Sequence, residues 1–311
     1  MSLSINTNTS AMVALESLNS TTNELDSTEN TISTGQKVST ASDNPAAYAI
    51  AQTMNGNISG LSAVSDGLSF AAEVVSTTTS AASSIISTLQ LIQAAVTSVG
   101  QTGIDTATVG TEVEGYLDEI NTYARDATMN GVNLLAGTGD AASANGVQSA
   151  TLSNTLQYVT GLQGSVGTVS SVATGAEALT TALGLTSSIL TAGGSTTSAT
   201  DLAATLSAVF GSSVTPSATD LQSMIQSVQS AITTMTGYAS KFAAASNTIT
   251  GMESYSANLS DSLTSGVGAL TDADMAAESA KLTSLQTKQS LAISSLSVAK
   301  SSSQNILTLF R

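Results

Sequence analysis

From Ile50 to Val99 apolar residues recur at helical spacing with no proline to interrupt them. Ile50, Met54, Ile58, Leu61, Val64, Leu68, Ala72, Val75, Ala82, Ile85, Leu89, Ile92, Val96 and Val99 fall on one helical face. A run of about fifty residues without an internal stop predicts a coiled coil or helical rod. Gly100 and Gly103 end it.

Further stripes flank it. Ile5, Met12, Leu15, Leu18, Leu25 and Ile32 form a heptad-like series that stops at Ser33-Thr34-Gly35. In the turn Ala41-Ser42-Asp43-Asn44-Pro45, Asp43 or Asn44 can cap the next helix, and Pro45 suits its first turn. A shorter helix is expected from about Asp105 to Met129, with Val113, Leu117, Ile120, Ala124 and Ala127 inward. Asn130-Gly131 is a strong turn signal after it.

From Gly137 to Pro216 the texture changes to Gly, Ser and Thr with short apolar runs such as Val166–Val172 and Leu183–Leu190. Small strands, turns and short helices are expected there. Beyond Pro216 the period returns with Leu221, Ile225, Val228, Ile232, Met235, Ala239, Phe242, Ile249, Met252, Leu259 and Leu263. Ser217 and Asp220 have capping-box spacing. Gly266 and Gly268 should interrupt this helix, a last one carries Met275, Leu282, Leu285, Ala292, Ile293, Leu296 and Ala299, and the chain ends Ile306-Leu307-Thr308-Leu309-Phe310-Arg311. The fold is therefore mainly α: helices at both ends pair, and the middle projects.

Charge supports that pairing. The first helix carries Glu16, Glu24, Asp26 and Glu29, and the last carries Lys281, Lys288, Lys300 and Arg311. Opposite charges beside an apolar seam favour association. Overall the chain has 7 basic and 22 acidic residues, a net charge of −15, and only 9% charged residues.

Composition removes whole classes of function. With no His and no Cys there is no Ser-His-Asp triad, thiol nucleophile, or thiolate or imidazole metal site. Seven scattered cations make no nucleic-acid footprint. Carboxylates gather at Glu112, Glu114, Asp118 and Glu119, and at Asp272 and Asp274, where solvated helix faces account for them better than acid–base work does. Ser297-Val298-Ala299-Lys300 and Ser42-Asp43-Asn44 echo a serine-hydrolase motif set, but they occur in reversed order and without its Lys-Thr-Gly. No catalysis, cofactor or metal is expected. Met1–Ile5 has no basic n-region and polar Asn6–Ser10 follows, so an extracellular role would need export without a cleaved signal. No membrane span is expected, because Ser, Thr and Gly break the uncharged stretches.

The two ends together resemble bacterial flagellin. The likeness lies in Ser4-Ile5-Asn6-Thr7-Asn8, Ser33–Val38, Ser42–Ala46, Gly67-Leu68-Ser69, Asn130–Leu135, Asp272–Leu282 and Ile306–Arg311. It covers about residues 1–137 and 217–311, and is strongest toward alphaproteobacterial members.

The resemblance implies an elongated fold of long paired terminal helices in coiled-coil layers, with a small, partly β or mixed outer domain. It divides the chain into an inner-core helix and spoke (1–40), outer core (41–137), a variable surface insert (138–216), returning outer core (217–266) and a C-terminal inner-core helix (267–311). Inner-core packing falls to Ile5, Met12, Leu15, Leu18, Leu25, Ile32, Met275, Leu282, Leu285, Ile293, Leu296, Leu307 and Phe310. Outer-core packing falls to Leu61, Leu68, Ile85, Leu89, Ile92, Val96, Leu117, Ile120, Leu221, Ile225, Ile232, Phe242 and Ile249.

It also implies a structural subunit that is exported unfolded through the flagellar channel and polymerises into an extracellular filament for swimming. Its partners would be further copies of itself, the flagellar cap, hook-associated proteins and an export chaperone. Two other readings are a hook–filament junction protein and a secreted surface enzyme with flagellin-like ends. The second is poorly supplied, since the insert's charges are only Asp140, Glu177 and Asp201.

One departure stands out. Where the family carries Leu-Gln-Arg-x-Arg-Glu-Leu, this chain has Leu89-Gln90-Leu91-Ile92-Gln93-Ala94-Ala95. That family segment contributes to recognition by the vertebrate innate flagellin receptor. The degenerate patch Leu89, Gln90, Leu91, Gln93 and Ala94 therefore implies weak or no recognition, and Leu91 and Ile92 should widen the apolar stripe.

Overall fold

The computed structural model describes residues 8–99, 101, 103–135, 153–172, 179–183, 185 and 218–309. Helices α1 (Thr9–Thr34), α2 (Pro45–Ser98) and α3 (Thr106–Asp126) come first. The antiparallel hairpins β1 (Thr128–Met129)–β2 (Val132–Asn133) and β3 (Thr155–Val159)–β4 (Val166–Ser170) follow. A single turn α4 (Leu179–Ala182) precedes the long helices α5 (Ala218–Thr271) and α6 (Met275–Leu309). The fold is mainly α, as the periodicity predicts. Residues fall into two compact units: 1–59 with 259–311, and 60–258.

In the first unit α1 packs against α6, so segments from opposite ends of the chain do pair. Asn8 caps α1: its Oδ1 accepts from Ala11 N at 3.0 Å, and its Nδ2 donates to Ala299 O on α6 at 3.0 Å. Gly35 ends α1 in the left-handed region (φ 72°), its N–H donating to Thr31 O at 2.9 Å. A side chain there would be strained, which is why glycine stands at this stop.

The turn after α1 is organised by both residues that the sequence offers as caps. Asp43 Oδ2 accepts from the backbone N–H of Ser39 (3.0 Å) and Thr40 (2.9 Å) and from their hydroxyls. Asn44 Oδ1 accepts from Ala47 N at 3.1 Å and is the true cap of α2, with Pro45 at its first position.

This turn is bonded to the junction of α5 and α6. Lys37 N donates to Thr271 O at 2.7 Å, and Ala273 N donates to Gly35 O at 3.0 Å. Lys37 Nζ donates to Ala269 O at 2.9 Å, a cation on the carbonyl end of α5. Contrary to expectation, Gly266 and Gly268 do not interrupt α5, which continues to Thr271. A glycine inside a long helix costs only about 1 kcal/mol. The break falls instead at Asp272–Asp274, where Gln36 pairs with Asp272 and Asp274 Oδ1 caps α6 through Ala276 N (3.0 Å) and Ala277 N (3.2 Å).

The second unit is built around one apolar core. Leu68, Ile85, Leu89, Ile92 and Val96 of α2 meet Val113, Leu117, Ile120 and Ala124 of α3 and Met224, Val228, Met235, Phe242 and Ile249 of α5. Among the described residues α2 is long and apolar enough to cross a membrane by length and composition. Its apolar residues, however, supply this core. The described part of the insert is small and mixed, as expected: β4 occupies most of Val166–Val172, and Leu183 and Leu185 are buried. Gly100, Pro216 and Ser217, and most of 138–216, lie outside the described residues.

Between α3 and the core sits the tight hairpin that Asn130-Gly131 predicts. The two turn residues have φ of 48° and 79°, the conformation that a two-residue connection matching strand twist requires. Just beyond it Asn133 is fully buried. Its Nδ2 donates to Ala124 O (2.7 Å), Arg125 O (3.3 Å) and Thr128 Oγ1 (2.8 Å), and its Oδ1 accepts from Leu135 N (2.8 Å). One side chain thus satisfies the end of α3 and locks the hairpin to it.

Abundant Ser and Thr sit in these helices, and many bond back to the carbonyl one turn earlier, as Thr21 does to Ser17 O (2.9 Å) and buried Thr78 to Val74 O (2.8 Å). Among the described residues the buried hydroxyls of Thr28 and Ser256 have no such partner. Replacing Asn133 by Ala should destabilise the second unit by about 2–4 kcal/mol, because buried carbonyls and an N–H lose their partner. Urea unfolding followed by circular dichroism measures this.

Candidate assembly surfaces

The α1–α6 pair buries one seam and leaves other apolar residues facing out. Leu25 and Leu285 are buried between the helices, and Leu18, Ile32, Leu282 and Leu296 are half-buried. Met12 is 64% exposed and Ile293 54% exposed, and Leu15 and Met275 are also open. Ile5, Leu307 and Phe310 lie outside the residues whose side chains are described. Val13, Leu291 and Val298 are further open apolar residues that periodicity passed over, since they stand off the chosen stripe. A pair of helices can cover only one face of each member, so a chain apolar on more than one face leaves surface for something else.

In the second unit the stripe residues are mostly satisfied within the chain. Leu61, Leu68, Ile85, Leu89, Ile92, Val96, Leu117, Ile120, Phe242 and Ile249 are buried, and Leu221, Ile225 and Ile232 pack half-buried against them. Leu89 therefore belongs to the core and not to an outward patch. Gln90, Leu91 and Ala94 are exposed and Gln93 is half-buried. Ile92 is in the core while Leu91 is half open, so the two do not widen the stripe together: adjacent helical residues point about 100° apart.

Among the described residues the expected charge pairing along the seam is not formed, and Arg311 lies outside them. Among the described residues no carboxylate of α1 lies within ion-pair distance of a lysine of α6. Lys281 instead pairs with Glu278 on its own helix, at 3.4 Å. Glu16, Glu24, Asp26, Glu29, Lys288 and Lys300 are solvent-exposed. Exposed pairs contribute at most about 1 kcal/mol, so packing rather than charge selects this partner.

The acidic residues of α3 serve its own framework. Tyr116 Oη donates to Glu112 Oε1 at 2.8 Å, and Tyr123 Oη to Glu119 Oε1 at 2.7 Å, a pairing repeated one heptad apart. These bonds hold both phenols protonated above their ordinary range. Burial, then the neighbouring Asp118, raises the Glu114 carboxyl. Asp105 caps α3, accepting from Ala107 N (3.1 Å) and the Thr108 hydroxyl (2.8 Å), and these bonds lower its pKa. Among the described residues no group of acidic side chains is placed to hold a metal ion.

A cleft of about 310 Å³ lies between β4 and α5, lined by Thr168, Ser170, Tyr238, Lys241 and Phe242 among others. Lys241 Nζ sits 5.4 Å from the Tyr238 ring centroid. The lining offers hydroxyls and one ammonium but no carboxylate to act as base.

Residues 5–140 match the family model for the bacterial flagellin N-terminal helical region, and residues 225–310 match that for its C-terminal helical region. The chain is 32% identical to flagellin FljO of Caulobacter vibrioides, over 99% of this chain and 98% of the relative. It is 34% identical to flagellin C of Rhizobium meliloti and 34% identical to a flagellin of Brucella melitensis, with 99% of each chain covered in both cases.

The bonds to Asp43 hold its carboxyl below the ordinary value, the backbone N–H groups of Thr40 and Ser39 contributing most among them. A lowered folded pKa stabilises above the unfolded pKa, and the contribution is lost as pH falls through the folded one. Asp43→Asn should therefore lower the melting temperature of the folded chain near neutral pH. The gap between variant and parent should close as pH falls to about 2, below the carboxylate range. Thermal melts across that pH range test this.

Proposed function

The chain belongs to the bacterial flagellin family, and on that premise we propose how its surfaces serve a flagellar filament subunit. It is a structural protein that polymerises into the bacterial flagellar filament. The open apolar faces of α1 and α6 carry the reading: Met12, Leu15, Met275 and Ile293 are exposed in the single chain and would be covered by neighbouring copies. Complete burial of an apolar side chain yields roughly 1.5–3 kcal/mol, and covering these half-open ones about half that each, a gain that a helical polymer repeats at every subunit. Folding of the ends and assembly are then linked, because a partner that binds only the folded form stabilises it.

In this reading 1–40 and 267–311 line the inner core, 41–137 and 217–266 form the outer core, and 138–216 faces outward. The core stripe of the second unit, with Leu68, Ile85, Leu117 and Ile249, is satisfied within the chain, and the first unit carries the open faces. The junction that Lys37 spans joins α1 to the returning chain. The subunit passes unfolded through the flagellar channel and works outside the cell. An export chaperone, the flagellar cap and hook-associated proteins are its other partners. Its task is mechanical and we assign it no catalysis. Near-complete coverage of full-length flagellins favours a filament subunit over a junction protein.

Leu15→Asp and Ile293→Asp should each abolish filament formation while leaving the helical circular dichroism of the second unit intact. Sedimentation and negative-stain microscopy read the outcome, and normal filaments from both variants would overturn the proposed role of these faces. Exposed Gln90, Leu91 and Ala94 lack the charge-assisted contacts, worth about 1.5–3 kcal/mol each, that Arg and Glu would make. A reporter-cell assay should accordingly find this chain a weak agonist of the vertebrate flagellin receptor, and potency equal to an enteric flagellin would refute that.

A further inference from the structure

We propose that Asn130 is a site of spontaneous covalent ageing, where the side-chain amide is lost through attack by the backbone nitrogen of Gly131. The chain contains Asn-Gly at 55–56, 130–131 and 145–146, and the structure describes the first two in opposite environments. Asn55-Gly56 lies inside α2, where the Gly56 N–H is held in the helix ladder and the backbone cannot rotate toward its neighbour's side chain. Asn130-Gly131 forms the exposed turn of the β1–β2 hairpin. Asn130 has φ 48°, the left-handed turn conformation that asparagine adopts more readily than other non-glycine residues. Among the described residues neither its side chain nor the Gly131 N–H makes a hydrogen bond. Nothing lies within 4 Å of where a Gly131 side chain would stand, so the turn is uncrowded on that side. The Gly131 carbonyl accepts from Ser153 N at 2.9 Å, so the turn is anchored on that side while the Gly131 N–H and the Asn130 side chain are left to react.

The chemistry is complete with water alone. The Gly131 nitrogen gives up its proton and bonds to the Asn130 side-chain carbonyl carbon. The bond from that carbon to the amide nitrogen breaks, and ammonia leaves. Water then opens the cyclic imide at either carbonyl, giving aspartate or isoaspartate. Both products add one negative charge. Isoaspartate also adds a carbon to the main chain within the two-residue turn, so the pairing of Thr128 with Asn133 loses its register. The Asn133 bonds to Ala124 and Thr128 depend on that register.

The test uses the full chain, folded, in mildly alkaline buffer. Peptide mass mapping and enzymatic methyl labelling of isoaspartate follow both sites over time. In the folded chain Asn130 should convert at least about tenfold faster than Asn55, the ratio that a helix-opening equilibrium imposes. In concentrated urea the two rates should converge. In concentrated urea, where the φ of 79° imposes no strain on a Cβ, Gly131→Ala should slow conversion at Asn130, because the Cβ hinders the attacking nitrogen. Equal rates at the two sites in the folded chain, or no conversion at Asn130 while the urea-unfolded chain converts it readily, would overturn the proposal.

Discussion

Backbone and side-chain hydrogen bonds between the turn after α1 and the junction of α5 and α6 tie the two ends of the sequence together. Lys37 and Ala269 are 232 residues apart in sequence and 2.9 Å apart at their bonding atoms. Closing so long a loop costs only a few kcal/mol more than closing a short one, since the entropy grows with the logarithm of length. A modest set of bonds, with the seam around Leu25 and Leu285, can therefore hold it. Everything that α1 and α6 present outward follows from that pairing.

The scarcity of charge has a related physical reading. A monomeric surface with this few ionic groups would expose apolar patches, and the first unit does so at Met12, Leu15 and Ile293. In the proposed polymer those patches would become interior. The second unit is different: α2, α3, α5 and the hairpins close a core of their own. Polar chemistry there is spent on ends of elements, at Asp105, Asn133 and the Tyr–Glu pairs of α3. Hydroxyls bonded back along their own helices, such as that of Thr78, find partners without leaving the helix.

Much of this was legible without coordinates because helical periodicity, glycine stops and Asn-Gly turns are local. The stripe from Leu61 to Val96, the stop at Gly35 and the hairpin at Asn130-Gly131 stand where the spacing puts them. Three things were not legible. Gly266 and Gly268 read as a break, but a helix tolerates glycine where its neighbours hold it, and the break moved to Asp272–Asp274. Complementary charges on α1 and α6 suggested ion pairs, yet rotation about the helix axes is set by packing and leaves those side chains apart. Asn133 looked like an ordinary polar residue after a turn, and no periodic signal marks a buried amide that serves carbonyls of another element.

The sequence by itself determined the helical character, the positions of the main stops and the family, because each rests on residues near one another in the chain. Tertiary structure alone decided which apolar residues are spent inside the subunit and which stay open. Leu89 and Leu91 are two residues apart and equally apolar, yet one is buried and the other half exposed. The reason is geometric: a helix face acquires meaning only when another element packs on it, and that choice is made by contacts far away in sequence.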